Sequence, residues 1–96
     1  MSRSYIVSYD IRCPKRWRKV YKIMNGFGEH WQYSVFFCVL RDIDRVRMQT
    51  MLEEVMNLNE DQCMIADLGG NEQAARDAVT VLGQGLPQAV RGTIVI

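Results

Sequence analysis

Apolar residues fall at every second position in some short stretches of the chain and at every third or fourth in longer ones. Ser4-Tyr5-Ile6-Val7-Ser8-Tyr9-Asp10-Ile11 is short and rich in β-branched and aromatic residues. It reads as a strand with Ile6, Ser8 and Asp10 on one face and Tyr5, Val7 and Tyr9 on the other. Pro14 suits the first position of a helix, where its missing N–H is no loss. Trp17, Val20, Tyr21, Met24 and Phe27 follow at helical spacing, and Gly26 and Gly28 supply a stop. Trp31 to Leu40 is aromatic and β-branched, either one long strand or two strands meeting at a tight turn or bulge near Tyr33-Ser34. Met48, Met51, Leu52, Val55 and Met56 mark a second amphipathic helix, capped by Asp42 or Asp44 and ended by Asn57-Leu58-Asn59. Gln62 to Leu68 is a further strand, closed by Gly69-Gly70.

The remainder is looser. Asn71 is placed to cap a helix through Ala74, Ala75, Ala78, Val79 and Leu82, and residues 83–87 form a connection. Thr93-Ile94-Val95-Ile96 reads as a terminal strand, which needs a sheet edge in its own subunit or a partner's. The order β-α-β(β)-α-β is that of a split βαβ unit, an α+β domain with two helices on one face of an antiparallel sheet. Right-handed crossovers put both helices on that face. A single domain of 96 residues is expected, with its core at about 4–69 and an extension over 70–96. So small a core directs function to surfaces or a subunit interface.

Composition removes several classes of protein. The apolar fraction of 48% and charged fraction of 24% are those of a soluble globular chain. Val35 to Leu40, the longest apolar run, is far short of the ~18 residues of a membrane span. The first residues lack a hydrophobic signal region, so a cytoplasmic protein that engages no membrane is expected. Cys13, Cys38 and Cys63 form no close pair, which argues against a disulfide framework or zinc site and for reduced thiols used as small apolar residues. With His30 the only histidine, a multi-histidine metal site within one chain is excluded. Neither glycine cluster, at 69–70 or 83–85, is followed by the Lys-Ser/Thr of a phosphate loop.

Charge carries the functional signal. A net charge of +1 conceals seven Lys/Arg against two acids in residues 1–30, and five against nine in residues 31–96. Lys15, Arg18, Lys19 and Lys22 fall within ~100° of arc on the first helix, away from its apolar side. With Arg12 and Arg16 they make six cations in eleven residues and no acid. Ordinary surfaces mix signs; a stripe of one sign is an electrostatic footprint for phosphate.

Asp10 ends the first strand just before this basic segment. A carboxylate there is a helix cap, a salt-bridge residue or a ligand for a hard cation. Magnesium takes one or two carboxylates together with water and phosphate oxygens. A two-fold axis through the site would double the single aspartate into a symmetric acidic pair. Asp67 is expected at the opposite end of the sheet, and Glu60 and Asp61, though nearer, are expected to face solvent. Cys13 or Cys38 with His30 lacks a third group to orient a nucleophile pair.

Tyr5-Ile6-Val7-Ser8-Tyr9-Asp10-Ile11, Lys15-Arg16-Trp17-Arg18-Lys19-Val20, Gly28 and Gln32-Tyr33-Ser34-Val35-Phe36, in this order and spacing, closely resemble the family of CRISPR-associated protein two, the small subunit of the spacer integrase. Asp61 to Gly69 resembles one branch of it, and the likeness covers about residues 4–69. The resemblance implies a ferredoxin-like βαββαβ sandwich that forms a homodimer, with a C-terminal strand crossing to the partner's sheet. It implies that Asp10 is the catalytic, metal-binding aspartate at the dimer interface, taking Mg²⁺ or Mn²⁺, and that Tyr9 flanks that site. Arg16, Arg18 and Lys19 would contact phosphate, joining Lys15 and Lys22 of the stripe, while Ser34 and Phe36 would lie near the interface. His30, where many relatives carry a basic residue, and Trp17, within the usual basic run, depart from the pattern.

The function so implied is a CRISPR adaptation protein, a dimer bridging integrase subunits and binding duplex DNA. A metal-dependent endonuclease acting on RNA or DNA is the enzymatic reading. The alternative is a stand-alone metal-dependent RNase or toxin-like RNA-binding module of the same fold.

Overall fold

The computed structural model describes residues 1–86. Alternation in the first strand, β1 (Ser2–Asp10), divides the molecule into two unlike sides. Helix α1 (Pro14–Asn25) follows, then the hairpin of β2 (Glu29–Gln32) and β3 (Val35–Arg41), helix α2 (Asp42–Val55), strand β4 (Gln62–Asp67) and the short helix α3 (Glu72–Asp77). The strands make one antiparallel sheet in the order β2-β3-β1-β4, the ferredoxin-like arrangement expected. The stretch from Trp31 to Leu40 holds two strands rather than one. Tyr33 and Ser34 form the turn between them, and the register shifts between His30 and Gln32.

Tyr5, Val7 and Tyr9 of β1 point to the helix side. There they pack with Phe36, Cys38 and Leu40 of β3, Val20 and Met24 of α1, and Met48 and Leu52 of α2, all buried. Each large apolar side chain removed from water contributes roughly 1.5–3 kcal/mol, which fixes both helices on this face. Burial pushes the Cys38 thiol up to about 12 and the Cys63 thiol to about 11, so both act as apolar filler. Gly28 brings the chain against β3. A Cβ there would lie 2.5 Å from Cys38 Sγ and 2.6 Å from the Phe37 carbonyl oxygen, so the position admits no side chain.

The other side of the sheet is covered over half its width. Trp31 stacks on Phe37 at 4.7 Å, and Ala75 of α3 buries them together with Ile6, Val39, Leu68, Val79 and Leu86. Over β4 and the end of β1 the same face is open: Asp10 pairs with Gln62 and Ser8 with Met64, Met64 is 59% exposed and Ala66 is exposed beside it. Directly opposed residues of an antiparallel pair share a face, so these side chains form one surface.

Two expectations about helix ends are corrected. The cap of α2 is Arg41, and Asp42 and Asp44 lie in the first turn without capping hydrogen bonds. There they favour the positive end of the helix dipole, and Asp44 pairs with Arg41 at 2.8 Å. Asn71 does cap α3, its side chain accepting from the Ala74 N–H at 2.9 Å, but the helix stops at Asp77 rather than near Leu82. The β-branched run Val79-Thr80-Val81 disfavours its continuation. The terminal strand expected at Thr93–Ile96 lies outside the described residues. Among those described, no helix is long and apolar enough to cross a membrane.

Candidate nucleic-acid interface

Val20 and Met24 hold α1 against the sheet, so its opposite side faces solvent. Lys15, Arg18, Lys19 and Lys22 are all exposed there. Among the described residues none of the four makes an ion pair or a side-chain hydrogen bond. Only Lys22 sits in the last turn, where a cation suits the helix dipole; Lys15 and Arg16 crowd the first turn, which holds no acid. That placement is locally unfavourable.

Arg16 stands apart from the stripe. Its Nε donates to Asp61 Oδ2 at 2.8 Å, and its Nη2 donates to Asp61 Oδ1 at 3.1 Å and to Glu60 Oε1 at 2.9 Å. The guanidinium is thus forked onto one carboxylate, the strong bidentate geometry. Asp61 also accepts from the backbone N–H groups of Arg12 and Asn57, at 2.9 Å each. Its side chain has no solvent exposure, which corrects the expectation that it faces water, while Glu60 is 57% exposed. Arg16, first among its causes, holds the Asp61 carboxyl well below the usual range against the opposing effect of burial. Asp61 therefore supplies to the α1 entrance the negative charge that its own first turn lacks.

At the end of β1, Asp10 is exposed and, among the described residues, makes no side-chain hydrogen bond or ion pair. It lies on the open half of the face opposite α1 and α2. Tyr9 points the other way into the core. Its ring lies 6.2 Å from Phe36 and 6.4 Å from Trp17, and burial raises its hydroxyl to about 12. Ser34 accepts the Tyr9 N–H on its carbonyl at 3.1 Å. Phe36 is a fully buried core residue that stacks on His30 at 4.8 Å, so it supports Tyr9 from within rather than presenting a surface. No group of three or more His, Cys, Asp or Glu side chains gathers around a metal position among the described residues. Among the described residues, Asp10 thus stands as a lone unpaired carboxylate at the end of β1.

The fold and the site together define a small ferredoxin-like α+β protein with a cation stripe on its first helix and an exposed aspartate ending its first strand. Comparison with known proteins makes this specific: residues 3–76 match the family described as CRISPR associated protein Cas2, and the chain belongs to that family. It is 38% identical over 96 residues to the CRISPR-associated endoribonuclease Cas2 of Geobacter sulfurreducens, covering 100% of both chains. It is 39% identical over 93 residues to the CRISPR-associated endoribonuclease Cas2 1 of Rhodospirillum rubrum, covering 97% of this chain and 90% of the relative. Among solved structures, Cas2 of Streptococcus pyogenes superposes with a TM-score of 0.73 at 29% identity, over 83% of this chain and 99% of that one.

Proposed function

We propose that this chain serves CRISPR adaptation in the cytoplasm as a homodimer that bridges integrase subunits and holds duplex DNA along α1. The observation that carries the reading is the stripe of Lys15, Arg18, Lys19 and Lys22, exposed and without partners among the described residues. Four unpaired cations of one sign suit the regularly spaced charges of a phosphate backbone, and binding releases the counterions those phosphates hold. The open half-face supports the dimer: a second copy laid over Ser8, Met64 and Ala66 buries apolar surface that one protomer leaves in water.

The test is the salt dependence of affinity for a blunt DNA duplex. Replacing all four stripe residues by Ala should lower the slope of log affinity against log salt by about 3–4, at ~0.9 per phosphate contact. An unchanged slope would sink the reading.

A second reading adds chemistry. Relatives carry the name endoribonuclease, and Asp10 is an exposed carboxylate without a side-chain partner among the described residues. One carboxylate fits Mg²⁺ or Mn²⁺, which retain waters and take phosphate oxygens, and a two-fold axis would bring a second Asp10 to the same ion. When bound, the ion supplies positive charge to a scissile phosphate in RNA or DNA. Asp10 would hold it, and the α1 cations would hold the flanking phosphates. Asp10→Asn should abolish Mg²⁺-dependent cleavage of a single-stranded RNA while leaving duplex affinity within about twofold, since it touches no α1 cation. Cleavage that survives the substitution removes Asp10 from the chemistry.

A further inference from the structure

Trp17, which breaks the basic run of α1, is the centre of an aromatic stack. Tyr21 lies 5.1 Å from it with planes 8° apart, and Tyr33 lies 4.9 Å from it with planes 23° apart. The stack ends in solvent, because Tyr33 at the β2–β3 turn is 74% exposed. Stacking on Trp17 covers one side of that ring and leaves the rest open. Helical spacing joins the stack to the edge of the stripe through Arg18, which lies three positions before Tyr21. Beneath it, Trp17 Nε1 and the Tyr9 hydroxyl are buried without hydrogen-bond partners among the described residues.

We propose that Tyr33, held by Trp17, is a stacking platform for an unpaired nucleobase of a strand whose phosphates run along the α1 stripe. The inference rests on the nucleic-acid reading above and names its substrate class, a duplex that carries a single-stranded extension. Every nucleobase offers a π face, so an aromatic platform takes unpaired bases with little regard to sequence, while the cations beside it hold the backbone. A ring already fixed by its stack loses less freedom on binding than a loose one. Bases inside a duplex are stacked on each other and hidden from Tyr33. The platform therefore distinguishes an extension from the paired region, with Arg18 between the two.

The experiment compares three labelled probes by fluorescence anisotropy: a blunt duplex, the same duplex with a thymidine overhang, and the same overhang built of abasic sites. The thymidine overhang should bind wild type about tenfold more tightly than the blunt duplex, and the abasic overhang should lose most of that gain. Tyr33→Ala should abolish the gain and leave blunt-duplex affinity unchanged, while Tyr33→Phe keeps it. Tyr33→Leu retains an apolar contact on Trp17 and lacks the π face, so it guards against a folding defect and should behave as Tyr33→Ala. The platform is overturned if Tyr33→Ala or Tyr33→Leu keeps the full gain, or if the abasic overhang binds as tightly as thymidine. Wild type that binds none of the probes at low salt overturns the nucleic-acid reading, and the platform with it.

Discussion

Asp61 illustrates how one side chain can set the geometry of a whole surface. Its carboxylate ties the start of α1, through Arg16 and the Arg12 N–H, to the loop before β4. Arg16 and these N–H groups hold its carboxyl below the usual carboxylate range, so folding favours the charged form. The resulting stability is complete above the unfolded value of ~3.9 and is lost as pH falls through the lower folded value. Asp61→Asn should therefore flatten the fall of Tm between roughly pH 5 and pH 2. At neutral pH it should lower Tm by on the order of 10 °C. Thermal melts followed by circular dichroism across that range check both, and a wild-type slope retained by the variant would show that other groups carry the acid sensitivity. None of this was legible in the sequence, because Arg16 and Asp61 are 45 positions apart and only the β1–β4 register brings them together. Asp10 was legible as a strand-ending carboxylate, since alternation alone places it with Ile6 and Ser8.

Element by element, legibility follows the strength of the local pattern. Apolar spacing marks α1 and α2 clearly, and Pro14 marks the start of α1. The end of α3 is marked only by the weak signal of the β-branched run after it, and Val79 packing against the Trp31 and Phe37 cluster fixes it. Six residues are too few to hold a helix in water, so α3 persists only through what it touches. Arg76 is that contact: its guanidinium lies 4.5 Å from the Phe37 ring centre and pairs with Glu29 at 2.7 Å and Glu72 at 2.8 Å. Arg76→Ala should speed hydrogen exchange at the amides of α3 by about tenfold while β1 and β3 stay protected. Peptide-resolved exchange measurements check this; equal acceleration in the sheet would mean that α3 and the sheet unfold as one unit.

At the scale of the molecule, the basic first third was visible in the counts of Lys and Arg, whereas the half-covered sheet was not. Periodicity shows that β1 has two faces but not what lies over each, and the cover comes from residues distant in sequence. The proposed dimer uses the half that α3 leaves open. The Tm of the wild type should then rise with protein concentration. Met64→Asp should remove that dependence and weaken association by at least ~tenfold, because it puts an unpaired charge into the interface. Sedimentation velocity measures both, and a wild type that sediments as a monomer at all concentrations would refute the dimer. The same two-sided plan has an optical consequence. Trp17 sits in the aromatic stack on the helix side and Trp31 under α3 on the other, so the chain carries one natural fluorophore on each side of its sheet. Removing Trp31 as Trp31→Phe leaves an emission spectrum that belongs to Trp17 alone, a label-free signal at the proposed meeting point of protein and nucleobase.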